Sequence, residues 1–276
     1  MMDSNFVLDE KGIWTSSKKQ DIMYSETGNR NSREAEEQNS FWFEHRNNII
    51  SRVIRNFPFA HDFADIGGGN GFQLLPLKKE YPNRKFYLIE PGYFGCETAR
   101  TRGIEYVYNC IFQEFDFSKT QIDGLGLFDV LEHIPDDKRF LNELYNIISP
   151  GSILYVTLPT YEFLWNDVDD YGKHQRRYTK KMVYQTVGQT GFEILYFTYF
   201  FSYVVIPTFL LRTIPYKIFG NRTEEEILKA EAQQHKPGKL LDAAFTMFNE
   251  WEVGKVNAHK SVPFGGSCFV VLRKNK

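Results

Sequence analysis

A chain of 276 residues that is 42% apolar and 25% charged has the composition of a packed globular protein, long enough for one large α/β domain or two small ones. A formal net charge of −2 argues against a broad nucleic-acid-binding face. Three widely spaced cysteines, Cys96, Cys110 and Cys268, exclude a disulfide framework and offer neither zinc spacing nor a redox pair. With a polar, acidic start (MMDSNFVLDEKG) that has no secretory character, the expected setting is cytoplasmic.

Residues 1–40 are polar, with scattered apolar anchors. Phe41-Trp42-Phe43 followed by Ile49, Ile50, Val53 and Ile54 has helical spacing, closed by Pro58. Strands are then predicted at His61–Ile66, Lys85–Glu90, Ile104–Tyr108, Ile122–Val130 and Ser152–Leu158. Helices at Gly71–Tyr81, Phe94–Arg102 and Asp137–Ile148 alternate with them, the last stopped by Pro150-Gly151. A helix at Lys180–Thr190 feeds a strand at Phe192–Thr198. This alternation predicts a mainly parallel sheet covered on both faces.

Residues 201–262 differ from that pattern. The charge-free run ILYFTYFFSYVVIPTFLL nearly reaches the length of a membrane span. Its aromatic, β-branched first part suits a buried strand, and Pro207 interrupts the rest. It is therefore read as an apolar cover over a ligand or a surface that touches lipid. A charged helix, EEEILKAEAQQH, and a helical run at Leu240–Trp251 follow, and a strand at Phe264–Arg273 closes the chain.

The most specific local signal is the turn Asp65-Ile66-Gly67-Gly68-Gly69-Asn70-Gly71 between a strand and a helix. Glycines there let the backbone approach a ligand closely. A dinucleotide fingerprint needs a further glycine at position 72, which is Phe72. Asp65 would repel a pyrophosphate but can meet a cationic amino group. Glu90 ends the next strand, in FYLIEPG, where a carboxylate can accept both hydroxyls of a ribose. Together the two acids point to a nucleoside-bearing cofactor that carries an amino group.

With these motifs in order, the chain resembles the class I S-adenosylmethionine-dependent methyltransferases, in their small-molecule branch. The resemblance continues through Phe128-Asp129-Val130-Leu131-Glu132-His133-Ile134, Leu141-x-x-Leu144 and Ile148-Ser149-Pro150-Gly151-Ser152-Ile153-Leu154. It implies a Rossmann-like α/β fold, with a mostly parallel seven-stranded sheet, helices on both faces and an antiparallel last strand. It also implies one domain over residues 1–276, with an N-terminal lid region at 1–58 and a helical insertion at 201–262. By resemblance, Asp65 and the loop of Gly67, Gly68, Gly69 and Gly71 hold the methionine moiety of S-adenosylmethionine. Glu90 and Pro91 hold the ribose, and Phe112 with Gln113 flanks the adenine, the position where family members often carry an acid falling at Gln113 or Glu114. Phe128, Asp129 and His133 complete the cofactor side.

The run WNDVDDYGKHQRRYT follows the fifth strand, where an acceptor would approach, and reads as a loop. One branch of the family carries a similar G-H-x-R-R-Y-type run, matched by Gly172, His174, Arg176, Arg177 and Tyr178. His174 is the first candidate for a general base and His133 the second; His133 can equally cap the next helix or bond backbone. Arg176 or Arg177 can grip an acceptor's carboxylate or phosphate, or the arginines pair with Asp167, Asp169 and Asp170 to fix the loop. Trp165, Tyr178, Tyr24 and Trp42 are further substrate-side candidates. No metal cluster is apparent from the spacing. The expected reaction is methyl transfer to an oxygen or nitrogen of a small-molecule or lipid- or sugar-linked metabolite. The alternatives are a membrane-surface enzyme acting on a lipid through contacts at 194–219, and a non-catalytic cofactor- or partner-binding module.

Overall fold

Nine apolar runs form one sheet in the computed structural model, which describes residues 6–18, 40–227, 229 and 239–275. In chain order the strands are β1 (Phe6–Leu8), β2 (Trp14–Ser16), β3 (Asp62–Ile66), β4 (Phe86–Ile89), β5 (Tyr106–Asn109), β6 (Ile122–Phe128), β7 (Ile153–Pro159), β8 (Phe192–Phe200) and β9 (Ser267–Lys274). Their spatial order is β1-β2-β5-β4-β3-β6-β7-β9-β8. Strands β3 to β7 pair in parallel, whereas β9 runs antiparallel between β7 and β8. The seven expected strands, the antiparallel last one among them, are all present.

Strands β1 and β2 extend the sheet beyond that expectation. Each has three residues, too few to display a period-two pattern in sequence. They are held by contacts made far along the chain: Phe6 meets the Tyr108 ring edge-on, Trp14 stacks near the same ring, and Ile13 is fully buried.

Side chains alternate across the strands and feed two cores. On one face Ala64, Ile66, Leu125 and Leu127 pack with Leu141 and Leu144 of the helix Asp137–Ile147, and with Val183 and Val187 of the helix Lys180–Val187. On the other, Phe63, Leu88 and Phe128 pack with Ile49, Ile50, Val53 and Ile54 of α1 (Phe41–Asn56). The helices Leu74–Glu80 and Tyr93–Thr101 cover the same face through Leu74, Leu77, Cys96 and Ala99.

The long apolar run divides between two structures. Its first part lies in β8, and its remainder is helical over Val205–Thr208 and enters a wide π turn at Phe209–Thr213, after which a further helix, Ile214–Phe219, follows. Among the described residues no helix is long and apolar enough to cross a membrane. The charged helix expected at 224–235 is helical over its described residues at the start; most of it lies outside them. The helix Lys239–Asn257 docks on α1 through Glu252, which is fully buried. Glu252 lies 2.8 Å from His45 Nε2 and accepts hydrogen bonds from the Phe201 and Ser202 backbone N–H groups at 2.9 and 2.7 Å.

Candidate active site

The parallel strands β3, β4, β6 and β7 end at one edge of the sheet, and the sequence places its chemistry there. Gly67 turns the chain out of β3 with φ +67°, a conformation that a side chain strongly disfavours. At Gly68 a Cβ would come within 2.5 Å of both Asp65 Oδ2 and Leu88 Cδ1, so the loop lies directly over the Asp65 carboxylate. Asp65 is fully buried, and neither of its oxygens has a hydrogen-bond partner. Burial pushes its pKa up to about 7, with the Arg46 cation opposing and the Glu90 charge adding to the rise.

Glu90 follows β4 and is fully buried. Its Oε2 accepts from Gly69 N at 2.9 Å and its Oε1 from Gly92 N at 2.6 Å, so one carboxylate clasps both the glycine loop and the start of the next helix. Pro91 stands beside it, its carbonyl accepting from Asn109 Nδ2 at 2.8 Å. In the next loop the side chains turn toward the helix Asp137–Ile147. Phe112 is buried edge-on against Phe140, and Gln113 Nε2 donates to Glu143 at 2.8 Å. Phe128 is buried at the end of β6.

Asp129 occupies the left-handed region at φ 55° immediately after β6. It accepts from Thr157 Oγ1 at 2.8 Å and pairs with Arg46 Nη2 at 2.8 Å. Arg46, buried at this edge and paired with Asp129, is a residue that the sequence reading missed. A cation on the buried side of α1, beside Ile49 and Ile50, was the available signal. The next turn carries Leu131–His133. His133 meets His174 edge to face, with ring centroids 4.8 Å apart. Burial and the neighbouring His174 lower the His133 pKa to about 4, against the pull of Asp129 and a hydrogen bond to the Gly172 carbonyl.

The run expected as a loop contains a short helix, Asp167–Tyr171. Asn166 caps it reciprocally with Asp169. Asp169 is fully buried and organises the rest: it accepts from Asn166 N at 2.9 Å, from Arg177 Nε at 2.9 Å, and sits 2.8 Å from His174 Nδ1. Burial alone would raise its pKa, but His174 and Arg177 outweigh it and hold the carboxyl below its usual range.

Both arginines are engaged within the chain. Arg177 bonds Asp169 and the Thr160 carbonyl, while Arg176 donates to the Ile134 and Pro135 carbonyls at 2.8 and 2.6 Å and lies 3.3 Å from Asp137. Tyr178 is buried, its hydroxyl 2.8 Å from Asp137 Oδ2. Trp165 Nε1 donates to Asp170 at 2.9 Å, and Trp42 stacks on Phe201 at 3.7 Å. Tyr24 lies outside the described residues. Of the acceptor-side candidates, the edge therefore brings His133 and His174 together and uses the arginines and Tyr178 to hold the loop.

Strand order, glycine turn and the acids at the strand ends define a Rossmann-like methyltransferase. Residues 34–196 match the methyltransferase-domain family, and the chain belongs to that family of enzymes, whose methyl donor is S-adenosylmethionine. A search of curated proteins finds no match. Among solved structures, a Thermotoga maritima SAM-dependent methyltransferase is 17% identical with a TM-score of 0.54, over 92% of this chain and 100% of that one. A Haemonchus contortus phosphoethanolamine N-methyltransferase bound to S-adenosylmethionine is 14% identical with a TM-score of 0.54; the match covers 91% of this chain but spans only 58% of that enzyme. The plantazolicin methyltransferase BpumL with SAH is 12% identical with a TM-score of 0.54, over 91% of this chain and 89% of that one.

Replacing Asp169 with Asn leaves Arg177 without its buried counter-charge. The expected cost is roughly 3 kcal/mol of folding stability, read from urea denaturation; a midpoint equal to the wild type would remove Asp169 from its organising role.

Proposed function

We propose that the chain transfers a methyl group from S-adenosylmethionine to an oxygen or nitrogen atom of a small-molecule or lipid- or sugar-linked metabolite. The observation that carries this reading is the buried Asp65 carboxylate, unpartnered beneath a glycine turn that Glu90 holds from the other side. An acid in that position suits the ammonium of the methionine moiety, and Glu90 beside Pro91 suits the ribose. The backbone of Gly67–Gly71 borders the methionine moiety, the loop at 111–113 the adenine, and Phe128 with Asp129 the side nearest the acceptor. When bound, the sulfonium supplies an electrophilic methyl group. The chain's own work is then to align an acceptor and to exclude water. Trp42 stacked on Phe201 supports water exclusion, and the corner formed by His133 and His174 supports binding of a polar acceptor.

Two measurements test the cofactor side. Glu90→Ala is expected to weaken S-adenosylhomocysteine binding at least about tenfold in calorimetry, since the loop loses its clasp as well as the ribose contact; unchanged affinity would make the ribose assignment wrong. Asp65 supplies the second. Its folded pKa lies above the unfolded value, so ionisation is disfavoured in the folded protein as pH rises toward about 7. An ammonium ligand needs the ionised form. Affinity should therefore climb with pH by up to about tenfold per unit below pH ~7 and level off above it. Asp65→Asn should bind weakly and lose the slope, whereas a wild type with no slope would refute the pairing.

A specific surface favours a lipid-bearing acceptor. Ile206, Leu211, Ile218 and Phe219 are 69%, 74%, 66% and 83% exposed along the helical segment after β8, which also carries Lys217. That segment is fastened to the acceptor loop by Thr213 Oγ1 donating to the Leu164 carbonyl, by Tyr216 to Asp170, and by Arg222 to Asp167. An apolar ridge too short to span a bilayer, carrying Arg212 and Lys217, suits an interfacial position. Co-flotation with anionic phosphatidylserine vesicles is expected, and Leu211→Ser with Phe219→Ser should abolish it. Absence of wild-type flotation would exclude the membrane-surface version.

A further inference from the structure

We propose that Glu132, His133 and His174 form a binding site for a divalent first-row transition cation on the acceptor side of the sheet edge. One donor atom from each residue lies within 4.8 Å of the other two. Glu132 and His133 sit on the turn after β6, and His174 arrives from the loop after β7, so about forty residues of chain separate donors that the fold brings together. No local spacing motif announces such a set, which is why the sequence reads as lacking a metal cluster.

The carboxylate is the strongest argument. Glu132 is 1% exposed, and its Oε2 is buried without a hydrogen-bond partner. An ionised acid in that position needs a compensating positive charge. The nearby Arg46 guanidinium is paired with Asp129. A cation between Glu132 and the two imidazoles supplies the missing charge at contact range.

The imidazoles are already oriented as metal ligands are. Asp169 lies 2.8 Å from His174 Nδ1, the carboxylate–histidine arrangement that fixes the tautomer and leaves Nε2 as the donor atom. Asp169 is itself locked by Arg177 and by Asn166 N. At Gly172 an added Cβ would come within 3.1 Å of His174 Nε2, so glycine at this position keeps that edge of the ring open. The Gly172 carbonyl meanwhile accepts a hydrogen bond from the His133 ring and sets its orientation.

Two imidazoles and one carboxylate are a donor set for Zn²⁺, Fe²⁺ or Mn²⁺ that leaves coordination positions open. Those positions suit an acceptor that presents a hydroxyl beside a second oxygen and so chelates the ion. This assignment rests on the methyltransferase reading for the acceptor's location, and it gives His174 the task of holding a cation instead of taking the acceptor's proton.

The test uses the full chain, stripped with a chelator and titrated with Co²⁺ alone, followed by calorimetry and by visible ligand-field absorption. One equivalent is expected to bind, with absorption bands that Zn²⁺ removes by competition. Glu132→Gln and His174→Ala should each weaken Co²⁺ at least about tenfold. Both should retain wild-type S-adenosylhomocysteine affinity and a cooperative thermal transition. If Glu132→Gln does not fold, the half-buried His174 carries the comparison. Failure to bind Co²⁺ stoichiometrically, or equal affinity in wild type and His174→Ala, overturns the site. Co²⁺ binding in a chain that does not bind S-adenosylhomocysteine would uphold the cation site while refuting the cofactor reading.

Discussion

The loop after β7, on the proposed acceptor side, hangs on one buried carboxylate. Asp169 is fully shielded from water, and a charge there is tolerated only because every direction around it is filled: a backbone N–H from Asn166, the Arg177 guanidinium and the His174 ring. Each partner carries a structural consequence. Asn166 closes the first turn of the short helix, Arg177 reaches back to the Thr160 carbonyl at the end of β7, and His174 is turned toward His133. Stabilising the charge and placing the imidazole are thus one arrangement. The dense cluster of acids and bases at 165–179 is explained by this need more than by recognition of an acceptor's charge.

Other buried acids separate into two kinds. Glu252 resembles Asp169 in being saturated, by His45, Phe201 N and Ser202, and it fastens the C-terminal helix to α1. Asp65 and Glu132 are different. Both are buried with carboxylate oxygens that lack hydrogen-bond partners, and burial raises the pKa of both. Saturated acids hold the fold together, whereas the unsaturated pair flanks the edge where the strands end. An unsaturated buried acid points to a ligand, since a fold gains nothing by leaving a charge buried and uncompensated; Glu90 stands between the two kinds, at the same edge but with both oxygens accepting backbone N–H groups.

This division also marks what could be seen in the sequence. The parallel sheet, the glycine turn, Asp65 and Glu90 were legible because each depends on local pattern: apolar alternation, glycine spacing, an acid at a strand end. Strands β1 and β2 were not, since three residues carry no period and their stability comes from Tyr108, some hundred residues away. Nor could sequence decide whether Arg176 and Arg177 face a substrate. The answer depends on Ile134, Pro135 and Asp169 arriving beside them, which is a property of the tertiary fold. Arg46 and Glu132 were hidden for the same reason. A charge within an apolar pattern signals burial but not the partner it meets.

Backbone strain converges on the same edge. Asp129, Tyr161 and Phe201 are non-glycine residues in the left-handed region, and they follow β6, β7 and β8 in turn. Because β8 is antiparallel to β9 and β9 to β7, all three strands end on the side that carries the glycine turn. Such conformations cost on the order of 1–3 kcal/mol each and persist only where neighbours over-determine them. Those neighbours are visible: Thr157 and Arg46 around Asp129, the Tyr178 carbonyl and the Tyr199 ring at Tyr161, and Glu252 with the Trp42 ring at Phe201. The acceptor loop, α1 and the C-terminal helix therefore act as a brace, and the apolar ridge beyond β8 is joined to that brace at Leu164, Asp167 and Asp170.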